Sequence, residues 1–176
     1  MKLLRTIQLD PSDTFVFERA AAPGEWAVSG AFVFWNDDVT ALQGKARAAF
    51  RGGFLGIESL GWSTLVQVVE ASDVDRAAVI EKLAKQLVDQ FGAPNLAAAH
   101  GAAEEEVAFA TSLCNQPADT LIAVHRTSEG GETREAFRTL HERGGPKPLR
   151  AFSFLEVEEE PDEKVDLLTI AERARE

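Results

Sequence analysis

The chain has 176 residues, 45% apolar and 27% charged, proportions of an ordinary folded domain that exclude disordered and fibrous architectures. Its net charge of −11 repels phosphate backbones and acidic membrane surfaces, and a single cysteine excludes an intrachain disulfide or a thiolate zinc cluster. One domain over residues 1–157, followed by an acidic linker and terminal helix over 158–176, is the expected organisation in a reducing cytoplasm. The start carries no apolar export signal, and no uninterrupted apolar run is long enough to span a membrane.

The first 35 residues read as strands. Leu3, Ile7 and Leu9, then Phe15 and Phe17, then Trp26, Val28, Phe32 and Phe34 fall largely on alternate positions, with turns at Asp10-Pro11-Ser12-Asp13 and Pro23-Gly24. A three-stranded antiparallel meander follows, its third strand running from Glu25 to Trp35. Asn36-Asp37-Asp38 caps a helix over 39–51 that Gly52-Gly53 ends, and a strand over 61–70 comes next. Ala77, Ile80, Ala84, Leu87 and Phe91 make one stripe of a helix over 73–91, capped by Ser72 or Asp73 and stopped by Gly92 and Pro94.

A second helix is predicted over 102–114, with Glu104, Glu105 and Glu106 near its first turns, where the macrodipole favours acids. A short strand over 121–126, a short helix over 132–142 with Phe137 and Leu140 inward, and a strand over 149–157 complete the domain. After the acidic run from Glu156 to Glu163, Val165, Leu168 and Ala171 recur at helical spacing. The fold class is α+β: a mixed, mostly antiparallel sheet of about six strands with about five helices.

Chemistry is sparse. His100, His125 and His141 form no paired ligand spacing, no GxSxG or GxxxxGK[ST] is present, and Cys114 lies on an apolar helix face without an imidazole neighbour in sequence. No cofactor is implied. His125 and Arg126 on a strand, Asp37 after Trp35 at a strand-to-helix junction, and Glu58 with Trp62 are the residues from which a ligand site can be assembled across the sequence. Each also has a plain structural role, as a strand-end histidine, a cap or an aromatic core residue.

Met1-Lys2-Leu3-Leu4-Arg5-Thr6, Asp10 to Phe17, Phe54-Leu55-Gly56 and Gly61-Trp62-Ser63-Thr64-Leu65 together resemble an uncharacterised family of short acidic bacterial proteins of unknown function. The resemblance implies a bacterial cytoplasmic setting and no activity. The expectation is a non-catalytic accessory or protein-binding module, its acidic C-terminal segment offered to a protein partner, with neither nucleic acid nor membrane involved. The alternative is a small enzyme or small-molecule-binding domain; self-association into a homo-oligomer is a third reading.

Overall fold

The computed structural model describes residues 1–142, 155–158 and 165–166, with side chains up to residue 140. Strand β1 (Lys2–Ile7) pairs on one side with β2 (Trp26–Val28) and on the other with β5 (Leu65–Glu70), both antiparallel. With both its edges taken, β1 has no place for a strand between itself and β2, and the expected meander does not form. The intervening chain makes a single-turn helix, α1 (Asp13–Val16), which leaves Phe15 75% exposed while Phe17 is buried. The buried Asp13 carboxylate sets this arrangement by accepting from the Thr64 hydroxyl at 2.5 Å and the Thr64 amide at 3.2 Å.

The expected third strand stops early. Gly30 turns the chain with a left-handed φ of 81°, and a Cβ there would lie 2.5 Å from Leu55 Cβ, so only glycine fits. The chain continues as a 3₁₀ helix, Ala31–Phe34, which places Phe32 and Phe34 by helical and not strand geometry. Next comes a 3₁₀ turn, Val39–Ala41, with Asp38 as its cap. Leu42, in extended backbone, and Gly44, left-handed at φ 59°, divide this turn from α2 (Gly44–Gly52), so the helix predicted over 39–51 is two pieces.

Strand β3 (Phe54–Gly56) pairs with β2 and with β4 (Trp62–Ser63). The strand predicted over 61–70 is therefore broken at Thr64, where the bonds to Asp13 intervene. Its first part, β4, lies at the sheet edge and its second, β5, at the centre, in the order β4-β3-β2-β1-β5-β6-β7-β8. Because β4 runs through Thr64 directly into β5, these five strands must curl back to where they began.

Helix α3 (Asp73–Phe91) matches its prediction, since its determinants are local. Ser72 and Asp75 form a reciprocal capping box, and Gly92 closes the helix at φ 71°. Helix α4 (Leu96–Ser112) begins six residues before the predicted start, capped by Asn95; its alanine-rich first turns carry helix propensity without an amphipathic signal. Glu104, Glu105 and Glu106 thus sit in mid-helix, away from the helix dipole invoked for them. Helices α3 and α4 pack together, and α4 lies against β1 and β2.

Strand β6 (Leu121–Glu129) is longer than predicted, and the predicted helix over 132–142 is strand β7 (Glu132–Glu142). Gly130 and Gly131, left-handed at φ 59° and 83°, make the two-residue hairpin that fixes the register from Glu129↔Glu132 to Leu121↔Leu140. The pairing puts Ile122, Val124 and Arg126 opposite Thr139, Phe137 and Glu135 on one face, and Phe137 meets Phe54 and Phe109 across the core. Strands β8 (Leu155–Glu158) and β9 (Val165–Asp166) both pair with β7. Val165 thus lies in a strand where spacing predicts a helix, because β7 still offers a free edge beside Arg134 and Glu135. Residues 149–154 of the predicted last strand, and the rest of the predicted terminal helix, lie outside the described residues.

Among the described residues the architecture is mixed α+β, with nine strand segments in place of about six and four α-helices in place of about five. Every ladder between named strands is antiparallel. No described helix is long and apolar enough to cross a membrane.

Candidate functional site

The six residues singled out from sequence do not converge. Asp37 is exposed, its amide bonded to the Phe34 carbonyl, and Trp35 stands 67% exposed beside it. Glu58 is exposed and pairs with Lys82 of α3, while Gln86 binds the Glu58 carbonyl at 3.1 Å, so this acid secures a loop to a helix. His125 lies on the exposed face of β6, in a recess of about 290 Å³ with Ala123 and Arg138. Its neighbour Arg126 faces the opposite way and is fully buried. Strand alternation separates the adjacent His125-Arg126 pair onto two faces.

Trp62 and Arg126 do meet, through Gly53. A Cβ on Gly53 would sit 2.8 Å from the Trp62 ring, and the Gly53 carbonyl accepts from Arg126 Nη1 at 2.7 Å. On the Trp62 side lies a cleft of about 600 Å³ lined by Glu18, Arg19, Val33, Phe34, Lys45 and Ala49, among others. Its floor is the Trp62 ring stacked against Phe34 at 5.3 Å with an interplanar angle of 29°, and Phe34 is held edge-on by Phe50. Arg19 is tied to the Ser59 carbonyl at 3.1 Å, while Lys45 makes no ion pair among the described residues.

On the Arg126 side lies a buried polar cluster that sequence reasoning missed. The guanidinium donates to three carbonyls at the end of α2, Ala49 at 3.5 Å, Phe50 at 3.0 Å and Gly53 at 2.7 Å, and to Ser29 O at 2.5 Å. Its Nε lies 3.5 Å from Glu135 Oε2, which also accepts from Ser29 Oγ at 2.7 Å. Arg126 and Glu135 are 0% and 1% exposed. Helix α4 adds Glu106, whose Oε2 is shut off from solvent without a hydrogen-bond partner, as are Glu135 Oε1 and Thr139 Oγ1, while Arg126 Nε has only its long ion-pair contact to Glu135.

Burial is the main force on Arg126 and Glu106. It pulls the guanidinium below its usual range, opposed by the charges of Glu135 and Glu106. It pushes the Glu106 carboxyl up to about 7, helped by Glu135 and Glu105 and opposed by Arg126 and the Gly30 amide. The only available signal for this cluster was cross-strand: once Gly130-Gly131 is read as a hairpin turn, Arg126 and Glu135 fall opposite each other. Cys114 offers no nucleophile, for burial raises its thiol to about 11 and its sulfur bonds the Ala110 carbonyl at 3.3 Å.

A curled antiparallel sheet carrying a packed helix pair, with an aromatic cleft beside a buried ion cluster, defines a small α+β domain with one enclosed polar centre. The chain belongs to a family of unknown function (DUF6505), whose model matches residues 1–154 and so includes every residue of the cleft and the cluster. No curated protein and no solved structure matches it.

Proposed function

We propose that this protein is a non-catalytic binding module whose ligand is a small molecule with a flat apolar body and an acidic group, seated in the cleft over Trp62 and Phe34. The observation that carries this reading is the Phe34–Trp62 stack as the floor of a 600 Å³ cleft with Lys45 on its rim. A stacked aromatic floor favours a planar partner, and an unpaired ammonium favours an anion on that partner. The volume suits a metabolite-sized ligand, and among the described residues no activated nucleophile borders it.

Trp fluorescence titration with a panel of aromatic carboxylates, each matched by its neutral amide, tests the reading. Acids should bind more tightly than amides, and Lys45→Gln should weaken the acids about tenfold, the loss of one charge-assisted hydrogen bond. Identical quenching in the Trp62→Phe variant, or no preference for acids, would remove the cleft from consideration.

A protein partner for the acidic segment 158–176 is a separate reading, supported by the run Glu156, Glu158, Glu159, Glu160, Asp162 and Glu163. It fits a cytoplasmic accessory role. A pull-down with and without residues 158–176 tests it, and an unchanged set of captured proteins ends it.

A further inference from the structure

Beyond Ala123, strand β6 has a strand beside it on one side only. Strand β5 begins at Leu65, which pairs with Ala123, while β7 stays paired with β6 as far as Glu129. The chain before Leu65 is held away at Thr64 by its bonds to Asp13. The recess of about 290 Å³ lined by Ala123, Val124, His125 and Arg138 lies where the sheet loses β5, and it shares no lining residue with the aromatic cleft.

His125 and Arg138 reach this recess from neighbouring strands. The register sets His125 opposite Ala136 and Arg138 opposite Ala123, so the two are diagonal neighbours on one face, their Cα atoms roughly 7–8 Å apart. Each long side chain faces an alanine, which leaves the space between them unfilled. Both are exposed, and among the described residues neither has an ion-pair partner. Arg134, further along the same face, is taken by Glu129 at 3.7 Å. In a chain with 29 acidic residues against 18 basic ones, a guanidinium and an imidazole sharing a recess without a carboxylate make one spot that receives a negative charge.

The guanidinium presents two parallel N–H donors, which a carboxylate saturates by itself. A further donor from His125 across the recess suits an anion with a third acceptor oxygen, as a phosphate group has. The volume, at the small end of ligand sites, holds that group with a body of a few carbon atoms.

The geometry points to a second binding site, in which Arg138 takes two oxygens of a phosphate group and His125 a third, the ligand being inorganic phosphate or a small phosphate monoester. Neither Trp62 nor Lys45 takes part, so the site stands whether or not the cleft binds an aromatic acid.

NMR of the histidine rings and arginine Nε groups on the full chain, with inorganic phosphate, a glycerol phosphate or acetate added at constant ionic strength, is the test. His125 and Arg138 signals should shift saturably with both phosphates while those of His100 and Arg134 stay still. Tighter binding of the glycerol phosphate assigns the site to an ester, and tighter binding of inorganic phosphate assigns it to the free ion. Arg138→Gln should weaken phosphate about tenfold and His125→Gln about threefold, whereas Arg134→Gln should change it by less than about twofold. All three side chains lie on the outer face of the sheet, and an unchanged urea midpoint confirms that each variant is folded. Signals unmoved by phosphate, equal affinity for acetate, or a loss in Arg134→Gln as large as in Arg138→Gln would overturn the site.

Discussion

Glu25 and Glu135 are both acids enclosed by the protein, 6% and 1% exposed, and they are treated in opposite ways. Glu25 Oε1 accepts from the amides of Glu58 at 3.0 Å and Ser59 at 2.7 Å, and Oε2 from the Ala22 amide at 2.6 Å and the Ser59 hydroxyl at 2.7 Å. These bonds pin the loop before β2 to the loop between β3 and β4, and every donor belongs to a segment without regular structure. Glu135 has one oxygen used by Ser29 and Arg126 and one left unpaired, with a second carboxyl, Glu106, in the same enclosure. A buried acid saturated by loop amides builds the fold, whereas one with an unpaired oxygen beside a second carboxyl leaves its surroundings short of donors.

The sharpest way to break this contrast is Arg126→Met. It strands two carboxyls and frees the carbonyls at the end of α2, and the expected loss is about 3–5 kcal/mol. Adding Glu135→Leu should recover most of that loss, because an apolar pair of similar volume replaces a buried ion pair at little cost. Urea denaturation of both variants decides; no recovery in the double variant would mean that the pair itself, and not the stranded charge, holds the region.

Glu25→Ala should cost slightly less, on the order of 2–4 kcal/mol, since the orphaned donors lie at the surface side of loops and regain water. Limited proteolysis should find new cleavage in residues 18–25 and 57–61 before any in α3. Uniform loss across the chain would contradict a loop-pinning role.

Glu106→Gln probes the other member of the contrast through pH. The folded carboxyl titrates near 7, above its ordinary value of 4.5, so the folded state holds a proton that the unfolded chain gives up. Wild-type stability should be highest below about pH 4.5 with respect to this group, fall as pH rises toward 7, and stay reduced above it. The variant should lack that slope and exceed wild type on the order of 1–3 kcal/mol at pH 8, with little difference at pH 4. Parallel stability curves would show that Glu106 keeps an ordinary titration.

The smallest effect concerns a site remote from both acids. Ser72→Ala removes the side-chain half of the capping box on α3 and should cost about 1 kcal/mol, visible as a small shift in thermal midpoint. A larger loss would imply that Ser72 does more than cap.

Much of the helix pair was legible. Ser72, the stripe residues Ile80, Ala84 and Leu87, and Gly92 lie close together in sequence, although Ala77 and Phe91 at the ends of the expected stripe are exposed, and Asn95 is a recognisable cap that alanine-rich sequence obscures. The hairpin is equally local, yet the helical spacing of Phe137 and Leu140 outweighs Gly130-Gly131 in the sequence, and the segment pairs as strand β7 instead. Trp62 and Arg126 were legible as residues of interest, but their meeting at Gly53 was not, and Glu106 was assigned to a helix end it does not occupy.

What the sequence determined by itself is what short-range hydrogen bonding enforces: the length of α3, its caps, the capping role of Asp38 and the mixed α+β character. Only tertiary structure decided that Trp62–Glu70 bends to serve two places in one curled sheet, that adjacent His125 and Arg126 face solvent and core, and that three charged residues from β6, β7 and α4 come together in one cluster. Burial is a property of the whole packing, and charge behaviour follows burial, so no window of sequence could have carried it.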